Sequence, residues 1–149
     1  MIQQMTEAMV LTHRHEISYL LRLCFQHTFC ESDEALIDSK VESLIQHIRD
    51  GNALPFASID QDTVNGFVWA YPLDTPLGTC IHVGYIAVSE EAQGKGIGHQ
   101  LLNMVEQKAK EMGIDKTELI VGGNNHQAQR FYAMLGYHMD RLILHKDLG

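Results

Sequence analysis

Apolar residues recur three and four apart through "EISYLLRLCF", putting Ile17, Leu20, Leu21, Cys24 and Phe25 on one face. That spacing predicts an amphipathic helix over about residues 13–27, with Thr12 as its N-cap. A second helix is expected over 33–50, where Leu36, Ile37, Val41, Leu44, Ile45 and Ile48 share a face until "DGN" ends the pattern. The period then changes. "LPFASID", "TVNGFVWAYPL" and "TCIHVGYIAV" are rich in β-branched and aromatic residues and are separated by the turn signals "DQD" and "DTPLGT", which predicts three consecutive antiparallel strands. Ile97, Leu101, Val105, Ala109 and Met112 mark a helix ending at Gly113, and "TELIV" reads as a buried strand running parallel to the one before that helix. In the short helix of "NNHQAQRFYAMLGY", Ala128, Phe131, Tyr132 and Leu135 share a face, Asn124 or Asn125 caps the start and Gly136 closes the end. Residues 137–146 are expected to form one more strand.

The 149 residues fit one domain, and no linker, repeat or low-complexity tract divides them. The composition, 45% hydrophobic and 20% charged, is that of a soluble globular chain, and no apolar run is long enough to span a bilayer. The N-terminal residues lack the marks of a signal peptide, so a cytoplasmic address is expected. Cys24, Cys30 and Cys80 are odd in number and form no C-x-x-C pair, which favours reduced, mostly buried thiols over disulfides or a zinc site. A net charge of −8 argues against a nucleic-acid partner. The acidic excess is larger over residues 1–60 (nine acids, four bases) than over 61–149 (ten acids, seven bases).

The glycine-rich stretch "AVSEEAQGKGIGHQLL" has the character of an anion-binding turn. It is no Walker loop, because Lys95 is followed by Gly96 rather than by Ser or Thr, and the glycines at 94, 96 and 98 do not follow the dinucleotide spacing. What fits is Q-x-x-G-x-G, Gln93 to Gly98, directly after the "YIAV" strand. Here the chain resembles the GNAT superfamily of acyl-coenzyme A (acyl-CoA) dependent N-acetyltransferases. A second block agrees in register: Asn125, Ala128, Tyr132, Gly136 and Tyr137.

The resemblance implies a mixed α/β (α+β) fold with a mostly antiparallel twisted sheet, helices on both faces and a splayed parallel strand pair. It also implies acetyl-CoA as co-substrate, an amine as acceptor, no metal, and a tendency to form homodimers. The pyrophosphate would be cradled by Gln93, Gly94, Lys95, Gly96, Ile97 and Gly98, with Ile86, Ala87 and Val88 contacting the pantetheine arm and Asn125 a further contact or a simple N-cap. Tyr132 matches the acid that protonates the leaving thiolate, although its position on an apolar helix face also suits core packing. The glutamates that serve as base in many relatives are missing, since the matching places fall near Gly84 and at Ile120. His82, two residues before Gly84 and on the same strand face by alternation, is the candidate base, with Tyr85 on the opposite face. His13 and His15 lack partners at ligand spacing and read as a solvated helix start. Trp69 and Tyr71 share a face and read as core, and "ESDEAL" (Glu31, Asp33, Glu34) as a helix-capping segment. The expected reaction is direct acetyl transfer to a primary amine, with a cationic acceptor favoured; the alternative is a non-catalytic acyl-CoA binding or sensing module.

Overall fold

A computed structural model describes residues 1–28 and 34–149; Cys30, Glu31 and Asp33 lie outside them. Five strands form one sheet in the order β1 (Ile2–Gln4), β2 (Leu54–Asp60), β3 (Thr63–Thr75), β4 (Gly78–Val88), β5 (Thr117–Leu119). The first three pairings are antiparallel and β4–β5 is parallel, joined by the crossover helix α4 (Ile97–Glu111). Both hairpins come from the predicted turns, and Gln61 and Asp62 turn the first with positive φ.

Helices cover both faces. On one side α1 (Glu7–Thr12), α2 (Arg14–Thr28) and α3 (Glu34–Arg49) bury Ile17, Leu20, Leu21, Ile37, Val41 and Leu44 against Phe67 and Trp69. On the other, α4 buries Leu101, Leu102 and Val105 against Val68, Ala70 and Ile81, with α5 (His126–Met134) adding Phe131 and Tyr132 at the margin. Asn125 is the N-cap of α5, its side chain accepting the Ala128 N–H at 3.2 Å, and Gly136 takes φ 96° beyond its end.

Four expectations change. Thr12 ends α1 instead of capping α2; the cap is Thr6, whose hydroxyl accepts the Met9 N–H at 3.2 Å, and the chain runs almost without a break from α1 into α2. That junction buries His13, only 8% exposed and 3.4 Å from Glu16, so His13 is not a solvated helix start. Leu36 is 38% exposed, outside the buried stripe of α3. "TELIV" forms only the half-buried three-residue β5, and Ile120 is 70% exposed because β4 has already turned away from it.

The strand expected over 137–146 is absent, and residues 138–149 are exposed. Neither alternating set there is apolar throughout: Arg141 interrupts Met139 and Ile143, and Asp140 precedes Leu142 and Leu144. A strand with no uniformly apolar face has little to bury. Among the described residues no helix is long and apolar enough to cross a membrane.

Candidate functional site

β4 ends at Val88, a single 3₁₀ turn (Glu90–Ala92) follows, and Gln93 to Gly96 lead into α4. Gln93 anchors this loop through its side chain, Nε2 donating to the Val88 carbonyl at 3.1 Å. Gly94 and Gly96 have φ of 82° and 80°, a region in which a Cβ is strained. Gly98 is glycine for another reason: a Cβ there would lie 3.2 Å from Phe131 Cζ, so its absence lets α5 pack against α4. Ile97 opens a 15-residue helix whose first-turn N–H groups have no preceding turn to bond to and form its positive end. With Lys95 exposed beside them, this is a cationic cradle of backbone donors.

The cradle adjoins a gap in the sheet. β4 pairs with β3 along its whole length, but with β5 only at Ile81–Val83 against Thr117–Leu119. Beyond Val83 its outer edge has no neighbouring strand. Ile86 and Val88 turn their carbonyls to this edge, where Ile86 accepts the Cys24 thiol (3.4 Å) and Val88 the Gln93 amide. Since a residue in a strand presents its N–H and C=O to the same edge, the N–H groups of Ile86 and Val88 face the gap too, while the Ala87 backbone faces β3. A cavity of about 180 Å³ opens here, lined by Leu23, Cys24, Ile86, Ala87, Val88 and Gln93.

Burial pushes the Cys24 thiol up to about 12, so it is a neutral wall of the cavity rather than a nucleophile. Tyr132, on α5, is also pushed up to about 12, first by burial and then by the nearby Cys24, and therefore keeps its proton at neutral pH. Its ring meets Phe131 and Tyr137 edge-on at 5.3 and 5.8 Å. The packing role and the neutral phenol thus coexist in one residue.

His82 stands at the closed end of the gap, one residue before the last β4–β5 pair. The face assignments around it differ from simple alternation. Trp69 pairs with Tyr85 and Ala70 with Val83, so Gly84 is an extra, bulged residue. The bulge puts Tyr85 on the same face as His82, not the opposite one. Tyr71 lies 5.3 Å from the His82 ring, and Trp69 lies 5.1 Å from Tyr85. Trp69 is core, at 4% exposure, whereas Tyr71 is half-buried and stacked on the imidazole.

Across the parallel pair His82 is in register with Glu118, and its Nδ1 is 2.7 Å from Glu118 Oε2. The hydrogen bond from His82 holds the Glu118 carboxyl below its ordinary 4.5, against a smaller opposing effect of burial. Glu118 was not among the residues singled out from the sequence, and Cys24 was read only as a buried thiol of the helix face. Strand pairing places the carboxylate two residues before the position searched, Ile120, and Cys24 reaches the gap from a helix distant in sequence. Of the capping segment, Glu34 is in the first turn of α3 and bonds Arg22 at 2.7 Å. Among the described residues no group of three His, Cys, Asp or Glu could hold a metal ion.

Known proteins resemble this chain in sequence and in fold. The chain is 29% identical over 111 residues to the N-acetyltransferase YdgE of Bacillus subtilis, itself uncharacterized, covering 72% of this chain and 69% of that protein. Solved structures superpose on nearly its whole length. One is a tetramutant of BH1408 from Bacillus halodurans (TM-score 0.84, 19% identity, 99% of each chain). Another is the aminoglycoside N-acetyltransferase AAC(6')-Iy in complex with CoA (TM-score 0.76, 16% identity, 100% of this chain and 95% of that one). The acetyltransferase (GNAT) family model matches residues 14–137, a span that contains the cradle, the strand gap and the helices around them, and the chain belongs to that family.

Proposed function

We propose that the protein transfers the acetyl group of acetyl-CoA directly to a primary amine of a small-molecule or peptide acceptor. The gap beside β4 carries this reading: two inward backbone N–H groups, at Ile86 and Val88, lie within one loop of a helix N-terminus able to hold a pyrophosphate. The likeness in fold to an aminoglycoside N-acetyltransferase in complex with CoA supports CoA as the group bound.

In this reading the cradle of Gln93, Gly94, Lys95, Gly96, Ile97 and Gly98 takes the phosphates, and the β4 edge takes the pantetheine arm as an added strand. Asn125 contributes through its cap at the start of α5. A β4 N–H at the gap stabilises the oxyanion that forms as the amine attacks the thioester, a contact worth about 3–4 kcal/mol when preorganised. Two proton transfers complete the exchange. A lysine-like amine has a reference pKa of about 10.4 and must lose a proton to attack, and His82 accepts it. The leaving thiolate, whose acid has a pKa of about 8.5, receives a proton from Tyr132. The acidic excess of residues 1–60 favours a cationic acceptor.

The test is thermal denaturation with and without acetyl-CoA, for wild type and Lys95→Glu, followed by assay of released CoA with a panel of primary amines. Lys95→Glu reverses the charge of the loop while sparing the two strained glycines. Acetyl-CoA at 100 times its Kd is expected to add about 2.7 kcal/mol of stability to wild type and clearly less to the variant. Absence of any stabilisation would sink the reading. Stabilisation without CoA release for any amine would favour the non-catalytic binding module.

A further inference from the structure

We propose that Glu118 is the positioning residue of a Glu118–His82 pair, fixing the imidazole so that Nε2 is the atom that takes the proton of the attacking amine. The inference rests on the acetyl-transfer reading above and adds a residue to it.

The contact itself decides the tautomer. An ionised carboxylate has no proton to give, so a 2.7 Å contact between His82 Nδ1 and Glu118 Oε2 requires the hydrogen to sit on Nδ1. In the neutral ring the lone pair is then on Nε2. That Glu118 is ionised follows from its surroundings. Its other oxygen, Oε1, accepts the Cys80 thiol at 3.4 Å and faces Arg141 at 3.5 Å, and its carboxyl is held below the ordinary carboxylate value. The ring is also held in orientation by Tyr71 of β3, which packs against it at 5.3 Å with the two planes tilted by 37°. Both side chains are mostly shielded, at 12% and 21% exposure, so the pair is less screened than a surface ion pair. Among the described residues, the titratable and charged groups in contact with the pair are Tyr71 of β3, Cys80 of β4 and Arg141 of the C-terminal segment.

The arrangement is placed where such a base is needed. β4 and β5 are in register at His82 and Glu118 and separate after Val83 and Leu119, so the pair sits at the apex of the gap. The bulge at Gly84 keeps His82, Tyr71 and Tyr85 on one face. The glutamate absent from the usual places is thus present one step removed, acting through the histidine.

Nitrogen-15 NMR of histidine-labelled protein tests the pair without any acceptor, the His82 signal being assigned by its loss in His82→Gln. Wild type is expected to show the Nδ1–H tautomer. In Glu118→Gln, whose amide can donate to Nδ1 as well as accept from it, the Nε2–H tautomer is expected to appear beside the Nδ1–H form. With an amine from the panel, kcat should drop about 10- to 100-fold, by analogy with the carboxylates that orient metal-bound imidazoles, while KM for acetyl-CoA stays unchanged. Glu118→Asp, which keeps the carboxylate, should restore part of the rate and the Nδ1–H tautomer. An Nε2–H tautomer in wild type, or an unaltered tautomer and kcat in Glu118→Gln, would overturn the proposal. Should Glu118→Gln fail to fold, the wild-type tautomer and the Glu118→Asp tautomer and rate decide. The acetyl-CoA thermal shift separates the two levels: a bound co-substrate with an unchanged Glu118→Gln tautomer and rate overturns the pair alone, whereas no binding overturns the acetyltransferase reading beneath it.

Discussion

Gly84 is one residue more than β3 can pair with, and it reverses the alternation of everything after it in β4. A Cβ there would lie 3.1 Å from Tyr71 Cε1 and 3.4 Å from the Trp69 carbonyl, so the ring that stacks on His82 would have to shift. Gly84→Ala is therefore expected to cost about 1–3 kcal/mol by overpacking and to lower kcat by displacing Tyr71. Urea midpoints and steady-state rates check this; a variant as stable and as fast as wild type would mean that the bulge has slack. At this scale the sequence was legible where chemistry is local. Gln93 to Gly98 announce themselves because a turn at positive φ beside a helix start needs glycine wherever it occurs. Glu118 does not, because its meaning comes from lying opposite His82 across a strand pair. Tyr85 was misplaced for a related reason: period-two alternation holds only in the absence of a bulge, and nothing in "HVGYI" apart from the glycine signals one.

Among the elements, α4 links fold and site, its N-terminus forming the cradle and its buried stripe holding the sheet behind the gap. Leu101 is fully buried in that stripe and lies 3.5 Å from where a Cβ on Gly66 of β3 would stand. Leu101→Ala is expected to destabilise the protein by about 2–5 kcal/mol, read as a lower urea midpoint with an unchanged slope. A loss well under 1 kcal/mol would show that the sheet and helix collapse onto the space. Long elements were predictable because many residues vote on one period; α2, α3 and α4 fall within a few residues of where their stripes place them. Short ones were not. β1 has three residues and α1 six, too few for a period to show, and both exist because the sheet edge and the α3 helix are there to receive them. The reverse error at 137–146 comes from a β-like composition in which neither alternating set is apolar throughout.

For the molecule as a whole, stability should be greatest near neutral pH and fall on both sides. Glu118 and Glu7 titrate below 4.5 when folded, held down first by the hydrogen bonds from His82 and from Arg49. The unfolded chain therefore binds more protons in acid, and their contribution, present above 4.5, is lost as pH falls through the lowered values. On the alkaline side Cys24 and Tyr132 titrate near 12 when folded against 9.0 and 10.0 ordinarily, so the unfolded chain loses protons first and stability declines as pH rises from about 9 towards 12. Urea midpoints measured from pH 3 to 11 check both limbs; a midpoint still rising above pH 10 would contradict the buried thiol and phenol. The sequence by itself determined the order of the longer helices and strands, the glycine-rich loop and the family, since these depend on periods and spacings written along the chain. The tertiary structure decided the rest: which β4 edge stays open, that Cys24 from a distant helix lines the gap, and that a glutamate on β5 completes a histidine on β4. Those facts depend on register and on contacts between residues far apart in sequence, and a register is set by the packing of the whole sheet.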